Sequence, residues 1–261
     1  MAVEWIVLGA GTILPRAGYG CAGHALRPGD GAAVTLFDCG PGTVRALGQV
    51  GLSVADVERV CVSHFHPDHC LDLFALAFAR RNPAMRAHGL PRLEIVGPRG
   101  IAALLERGAR LFGERGWTRF DEADVLEIDP ARGSDPLVRG ELRFTWQATG
   151  HTPEAVAWRV DGADGSAAYT GDSGENPDVA QLASGVDLFV CECSFPDGQA
   201  VEHHLTPGSA ARLARMAGCK RLLLTHFYPE VDPAAAREVA LRTFDGPIEL
   251  ARDGSVHRLE P

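Results

Sequence analysis

Short runs of apolar and β-branched residues recur at 5–8, 33–37, 60–63, 93–96, 142–148, 156–160, 167–170, 188–191 and 222–225, and they read as strands. Between them, apolar positions fall at helical spacing in 41–50, 71–80, 100–112, 207–216 and 233–243. Three of these stretches open on Pro41, Pro207 and Pro233, where a missing N–H costs a helix nothing. Strands crowded towards both ends of the chain, with helices interspersed, predict an α/β or α+β fold. The stretch 81–140 is richer in Gly, Pro and charge than its flanks. It is expected to be a loop-and-helix insertion region within a single domain spanning 1–261.

A chain of 261 residues, 46% of them hydrophobic, can bury one large core. No apolar run reaches the roughly eighteen residues of a membrane span, and Met1-Ala2-Val3-Glu4-Trp5 lacks the basic-then-apolar order of a signal peptide. A cytoplasmic protein with no membrane partner is expected. Seven cysteines, at 21, 39, 61, 70, 191, 193 and 219, are odd in number and never spaced C-x-x-C, which predicts reduced, buried thiols. Charge excludes more. With 25 basic against 34 acidic residues the net charge is −9, and the longest basic runs are the pairs Arg80-Arg81 and Lys220-Arg221. Polyanion affinity comes largely from neutralising phosphates, so this chain is poorly equipped to hold a whole nucleic acid alone. A small-molecule or nucleotide-type anionic substrate at a cation centre is compatible with that balance.

The candidate chemistry is concentrated in His64-Phe65-His66-Pro67-Asp68-His69, directly after the apolar stretch Arg59-Val60-Cys61-Val62-Ser63. Imidazole and carboxylate suit zinc, iron and manganese, and a strand stopping at His64 puts these side chains on a loop at a sheet edge. His64 and His66, two apart, point to one side of an extended backbone and can pinch one ion, leaving Asp68 and His69 for a second. The plain alternative is a surface loop with chance histidines. Two ions need more ligands, and His151, Asp172 and His226 each follow a predicted strand end, in Thr149-Gly150-His151, Gly171-Asp172-Ser173 and Leu224-Thr225-His226. Together they complete a set of seven.

Read with Leu8-Gly9-Ala10-Gly11-Thr12, Phe37-Asp38-Cys39-Gly40-Pro41-Gly42, Glu192-Cys193-Ser194-Phe195, His204-Leu205-Thr206 and Leu224-Thr225-His226-Phe227, the set resembles the metallo-β-lactamase-fold hydrolases, and among them the ribonuclease Z-like group. The resemblance covers nearly the whole chain. It implies a four-layer αββα sandwich with the site on its rim. It also implies that His64, His66 and His151 hold one metal, that Asp68, His69 and His226 hold another, and that Asp172 bridges them. Zinc is the metal expected, with manganese or iron as alternatives. Departing from that group, Gly97-Pro98-Arg99-Gly100 and the residues after it form a stretch too short and too acidic for a tRNA-gripping arm.

The reading is a binuclear hydrolase whose metal-bridging hydroxide attacks small or nucleotide-type phosphodiesters. Asp68 is a ligand that can also orient or deprotonate the nucleophile. His204 is the candidate proton donor to the leaving group, with Glu192 setting its tautomer, although His203 and His204 also fit a solvated pair. Asp38 reads as a partner of a ligand histidine or as a turn residue. One alternative is a tRNA 3′-processing endoribonuclease, in which a second protomer of a homodimer would supply the basic grip. Another is a lactone, carboxylic ester or phosphotriester hydrolase. An iron redox module of the same fold would prefer a carboxylate where this chain has His66, and metal storage would leave His204 and Glu192 idle. Cys191 and Cys193 are expected to pack, and His24, His88 and His257 to be ordinary polar residues. Trp117 and Phe120, in 113–124, are either a lid or packing residues.

Overall fold

The computed structural model describes residues 3–29, 33–87, 89–112, 118–131 and 136–259; His88 and Trp117 lie outside them. In chain order the first sheet is entered by β1 (Glu4–Gly9), β2 (Gly23–Arg27), β3 (Val34–Phe37), β4 (Val57–Cys61), β5 (Leu93–Pro98) and β6 (Ala123–Ile128). The second takes β7 (Leu137–Arg139), β8 (Leu142–Ala148), β9 (Val156–Gly162), β10 (Gly165–Tyr169), β11 (Leu188–Glu192), β12 (Leu222–Thr225) and β13 (Ile248–Leu250). β14 (Val256–Arg258) then returns to the first sheet and pairs with β1. Each sheet has seven strands, ordered β14-β1-β2-β3-β4-β5-β6 and β13-β12-β11-β10-β9-β8-β7. In both, four neighbouring strands run parallel (β3 to β6, and β10 to β13) and the remaining pairs are antiparallel.

Side chains alternate across a strand, and this alternation sorts the core into layers. Trp5 and Val7 of β1 join Trp158, Val190 and Leu223 of the other sheet in a cluster between the sheets. Ile6 and Leu8 face the opposite way, as do Leu222 and Leu224 of β12. Strands buried on both faces need apolar residues at every position, which is why β12 reads Leu-Leu-Leu-Thr.

The helices cover the two outer faces. Along the first half run α1 (Thr43–Gln49), α2 (Pro67–Cys70), α3 (Asp72–Arg80), α4 (Pro83–Ala87) and α5 (Ile101–Leu111). Leu47, Leu73, Leu76, Ile101 and Leu105 from these helices close over the first sheet. On the second sheet α6 (Pro177–Leu182), α7 (Pro207–Ala217) and α8 (Pro233–Ala240) contribute Val179, Leu213, Ala214 and Ala236. The result is the four-layer αββα sandwich. No described helix is long and apolar enough to cross a membrane.

The structure adds strands that the apolar pattern does not announce. β2, β6, β7, β13 and β14 are short or mix charged positions with apolar ones, and β6 is an edge strand whose Asp124 and Glu127 are exposed. Residues 81–140, expected as a loop-and-helix region around the strand at 93–96, thus contain β6 and β7 as well as the expected β5, beside α4 and α5. β4 spans 57–61, where the apolar pattern predicts 60–63, because Ser63 N–H leaves the ladder to donate to Asp38 Oδ1 at 2.7 Å. His24 and His257 are buried, and His24 Nδ1 accepts from Trp5 Nε1 at 3.3 Å. All seven cysteines are free and all but Cys21 are buried; Cys191 and Cys193 pack under α7. Phe120 packs edge-on to Phe74 at 5.8 Å, against the helical layer of the first sheet.

Candidate metal centre

Five chain segments meet at the carboxyl ends of β4, β8, β10, β11 and β12. They deliver His64, His66, Asp68 and His69, then His151, Asp172, Glu192 and His226. Two glycines make the approach possible. At Gly171 (φ 56°) a Cβ would stand 2.7 Å from Ser63 Cβ, and at Gly40 it would stand 1.8 Å from the Asp68 carbonyl oxygen. Only glycine lets the Asp172 loop press against the residue before His64, and the Asp38 turn pass under the Asp68 turn.

All seven residues expected as metal ligands come together, in two groups. His64, His66, His151 and Asp172 offer ligand atoms within 4.8 Å of one another, and so do Asp68, His69 and His226. Donors around a tetrahedral ion with bonds of about 2.0–2.1 Å lie about 3.3 Å apart. In the first group His66 Nδ1 is 3.2 Å from His151 Nε2, and Asp172 Oδ2 is 3.6 Å from His151 Nε2 and 3.8 Å from His64 Nε2. In the second, His69 Nε2 is 3.2 Å from His226 Nε2, and Asp172 Oδ1 is 3.3 and 3.4 Å from these two nitrogens. Asp68 Oδ2 completes that group at 3.7 Å from His226 and 3.9 Å from His69. The two oxygens of Asp172 therefore face different histidine sets.

The electrostatics call for cations. Asp38, Asp68, Asp172 and Glu192 are buried, and among the described residues every ion-pair partner they have is a histidine. Burial opposes charge on Asp68 and Asp172, yet the surrounding imidazoles hold both carboxyls well below the usual range. Burial also drives the His64 pKa down, and leaves its Nε2 and Asp172 Oδ1 without a hydrogen-bond partner among the described residues. His64 Nε2 faces the first group and Asp172 Oδ1 the second, and a buried nitrogen or carboxylate oxygen left without a partner is costly unless something positive stands against it. The donor set fits a pair of divalent ions. His66 is exposed and His151 half-buried, so the first group opens to solvent.

Supporting contacts orient the ligands. His69 Nδ1 donates to Asp38 Oδ2 at 2.7 Å, which turns its Nε2 towards the second group, so Asp38 is a partner of a ligand histidine. Asp38 also accepts from the Tyr169 hydroxyl at 2.8 Å. His151 Nδ1 donates to the His203 carbonyl at 3.0 Å. Asp38, His203 and His226 all sit at positive φ (60°, 65° and 59°), and they are the only non-glycine residues among those described to do so. Such backbone strain persists where the surroundings enforce it.

His204 and His203 part company here. The His204 ring lies 4.6 Å from that of His151, and its Nδ1 is 3.2 Å from both Glu192 oxygens; His203 points its ring outward, beside Glu202. Burial disfavours a charged His204, but the Glu192 carboxylate outweighs it and raises the pKa. Phe195 and Tyr228 stack at 4.7 Å and wall His204 in. Sequence reasoning passes over Tyr228, Ser63 and Ser194. Ser63 has only its closeness to His64 as a signal, whereas Ser194 lies in the Glu192-Cys193-Ser194-Phe195 stretch on which the resemblance rests, with no role of its own read there.

Comparison with known proteins agrees with this architecture. Residues 34–227 match the model of the family described as the beta-lactamase superfamily domain. An uncharacterized protein of Mycobacterium tuberculosis is 31% identical over 242 residues, covering 88% of this chain and 86% of the relative. A ribonuclease Z of Thermobifida fusca is 28% identical over 313 aligned positions, covering 96% and 92%. Among solved structures, the metallo-beta-lactamase fold protein YhfI from Bacillus subtilis superposes with a TM-score of 0.85 at 25% identity, covering 99% of this chain and 100% of that one. The human short-form tRNase Z does so at 0.77 and 24%, with the same coverage. The chain is therefore a member of the beta-lactamase superfamily, a metallo-β-lactamase-fold protein of the ribonuclease Z-like kind with a His/Asp metal site.

Proposed function

We propose that this protein is a two-metal phosphodiesterase, using zinc, that acts on small or nucleotide-type anionic phosphodiesters. The observation that carries the reading is the Asp172 carboxylate, with Oδ2 towards His64 and His151 and Oδ1 towards His69 and His226. His64, His66 and His151 would hold the first ion, Asp68, His69 and His226 the second, and Asp172 both. When bound, such a pair supplies an activated water near neutral pH and Lewis-acid polarisation of the substrate oxygen.

The protein's own groups do the rest. Asp68 stays ionised and accepts a hydrogen bond from the attacking water, which fixes its direction. His204 keeps its Nδ1 proton on Glu192 and presents Nε2 to the leaving oxygen, to which it gives a proton. A proton donor matters for an alkoxide leaving group and little for an activated aryl ester.

Small substrates are favoured over whole RNA by the net charge of −9. The alignment with the Thermobifida ribonuclease Z is longer, at 313 positions, than this 261-residue chain, so that relative carries segments with no counterpart here. Its name and that of the human tRNase Z favour tRNA 3′ processing as the second reading. Metal analysis of the purified protein, coupled to assays on a bis-aryl phosphodiester, a cyclic nucleotide, a precursor tRNA, a lactone and a phosphotriester, decides among these. Two ions and turnover of the cyclic nucleotide are expected. Turnover confined to precursor tRNA, or to lactone or triester, would replace the reading.

A further inference from the structure

Two serines outside every ligand motif occupy matching positions at the two groups. Ser63 Oγ donates to Asp38 Oδ2 at 2.8 Å and lies 3.0 Å from His64 Nδ1. Ser194 Oγ donates to Glu192 Oε2 and lies 3.0 Å from His226 Nδ1. All four partners are buried, and so are both serines.

A hydroxyl has one proton. Asp38 takes that of Ser63 and Glu192 takes that of Ser194, so each oxygen can only accept from the neighbouring imidazole. The Nδ1 atoms of His64 and His226 must then carry the protons, which leaves Nε2 as the lone pair facing the site. His64 Nε2 is one of the buried atoms with no hydrogen-bond partner among the described residues. The motif is built twice from unrelated parts of the chain. Asp38 and Ser63 follow β3 and β4 of the first sheet, whereas Glu192 ends β11 and Ser194 and His226 follow β11 and β12 of the second. Each carboxylate holds one imidazole directly, His69 or His204, and a second through its serine.

We infer that Ser63 and Ser194 are positioning residues, each locking one ligand histidine in the Nδ1–H tautomer: Ser63 serves the first metal position through His64, and Ser194 the second through His226. This rests on the two-metal reading above. Loss of such a contact to a metal ligand costs roughly 10–100-fold in affinity.

The test is zinc titration against a chromophoric chelator for the wild-type protein, Ser63→Ala, Ser194→Ala and each combined with His66→Ala, without reference to turnover. The wild type should bind two zinc ions. Each serine variant should weaken one of them about 10–100-fold. In the His66→Ala background Ser63→Ala should add little, while Ser194→Ala should still weaken the remaining ion. Should a variant fail to fold, nitrogen NMR of the zinc-loaded wild type decides the matter: His64 and His226 must show protonated Nδ1 and metal-bound Nε2. Wild-type affinities in both alanine variants, or either imidazole bound through Nδ1, would overturn the inference alone. A wild-type protein that takes up no zinc would overturn the two-metal reading as well.

Discussion

Replacing Asp38 with Asn keeps the shape of the side chain and removes an acceptor. The carboxylate takes four hydrogen bonds: Ser63 N–H on Oδ1 at 2.7 Å, and the Ser63 hydroxyl, His69 Nδ1 and the Tyr169 hydroxyl on Oδ2 at 2.7–2.8 Å. An amide has one oxygen. Turned to satisfy the three donors, it brings its NH2 against Ser63 N–H; flipped, it opposes all three. At least one buried donor is therefore left unpaired, at about 1–3 kcal/mol, and the remaining bonds each drop from the ~1.5–3 kcal/mol typical of a charged partner towards ~1. The total is about 3–5 kcal/mol, well above the usual ~1 kcal/mol of a point substitution. At ~2–4 °C per kcal/mol for a chain of this size, the midpoint should drop by roughly 10 °C. Urea and thermal unfolding of the metal-free protein, followed by the fluorescence of the buried Trp5, Trp146 and Trp158, measure it. A midpoint and slope indistinguishable from wild type would refute the assignment of Asp38 as the anchor under the site. Zinc affinity should fall by roughly 10–100-fold in the same variant, because His69 loses the group that fixes its proton.

Three further outcomes are expected. His66→Ala should bind one metal ion in place of two and lose turnover with it; full activity at one ion per chain, by elemental analysis, would contradict the paired arrangement. His204→Ala should retain both ions but lose about 10²–10⁴-fold in rate on alkoxide leaving groups, and far less on nitrophenolate esters; equal losses on both series would remove its role as proton donor. Because the native pKa of Asp68 lies below its unfolded value near 3.9, Asp68 contributes stability that is present above about pH 4 and vanishes as pH falls through the lower native value. Metal-free Asp68→Asn should therefore lose less stability than wild type as the pH falls from about 5 to about 3, the range around the unfolded pKa; parallel urea midpoints would show that the imidazoles do not stabilise its charge.

The amino-acid sequence by itself determined the candidate ligand set and the class of fold. Four ligand-type side chains sit within six residues of the His64 loop, and the other three each stand just past the end of a strand that the apolar pattern announces. Local spacing and burial on both faces of a strand are properties that a linear pattern carries. It left open the short strands β2, β7, β13 and β14, whose few residues carry too little periodicity to read. The pairing of ligands and the bridging place of Asp172 came from the resemblance alone; only the tertiary structure decided that the ligand atoms gather in two groups with one Asp172 oxygen towards each, that His204 and not His203 turns inward, and that Ser63 and Ser194 stand between carboxylate and imidazole. These facts depend on separations of 3–4 Å between atoms up to 158 positions apart in the chain, as for Asp68 and His226, and no local preference encodes them. They arise because two sheets, each correct in its own pattern, meet at one rim, where Gly171 leaves room for the loop after β10 to lie against Ser63 after β4.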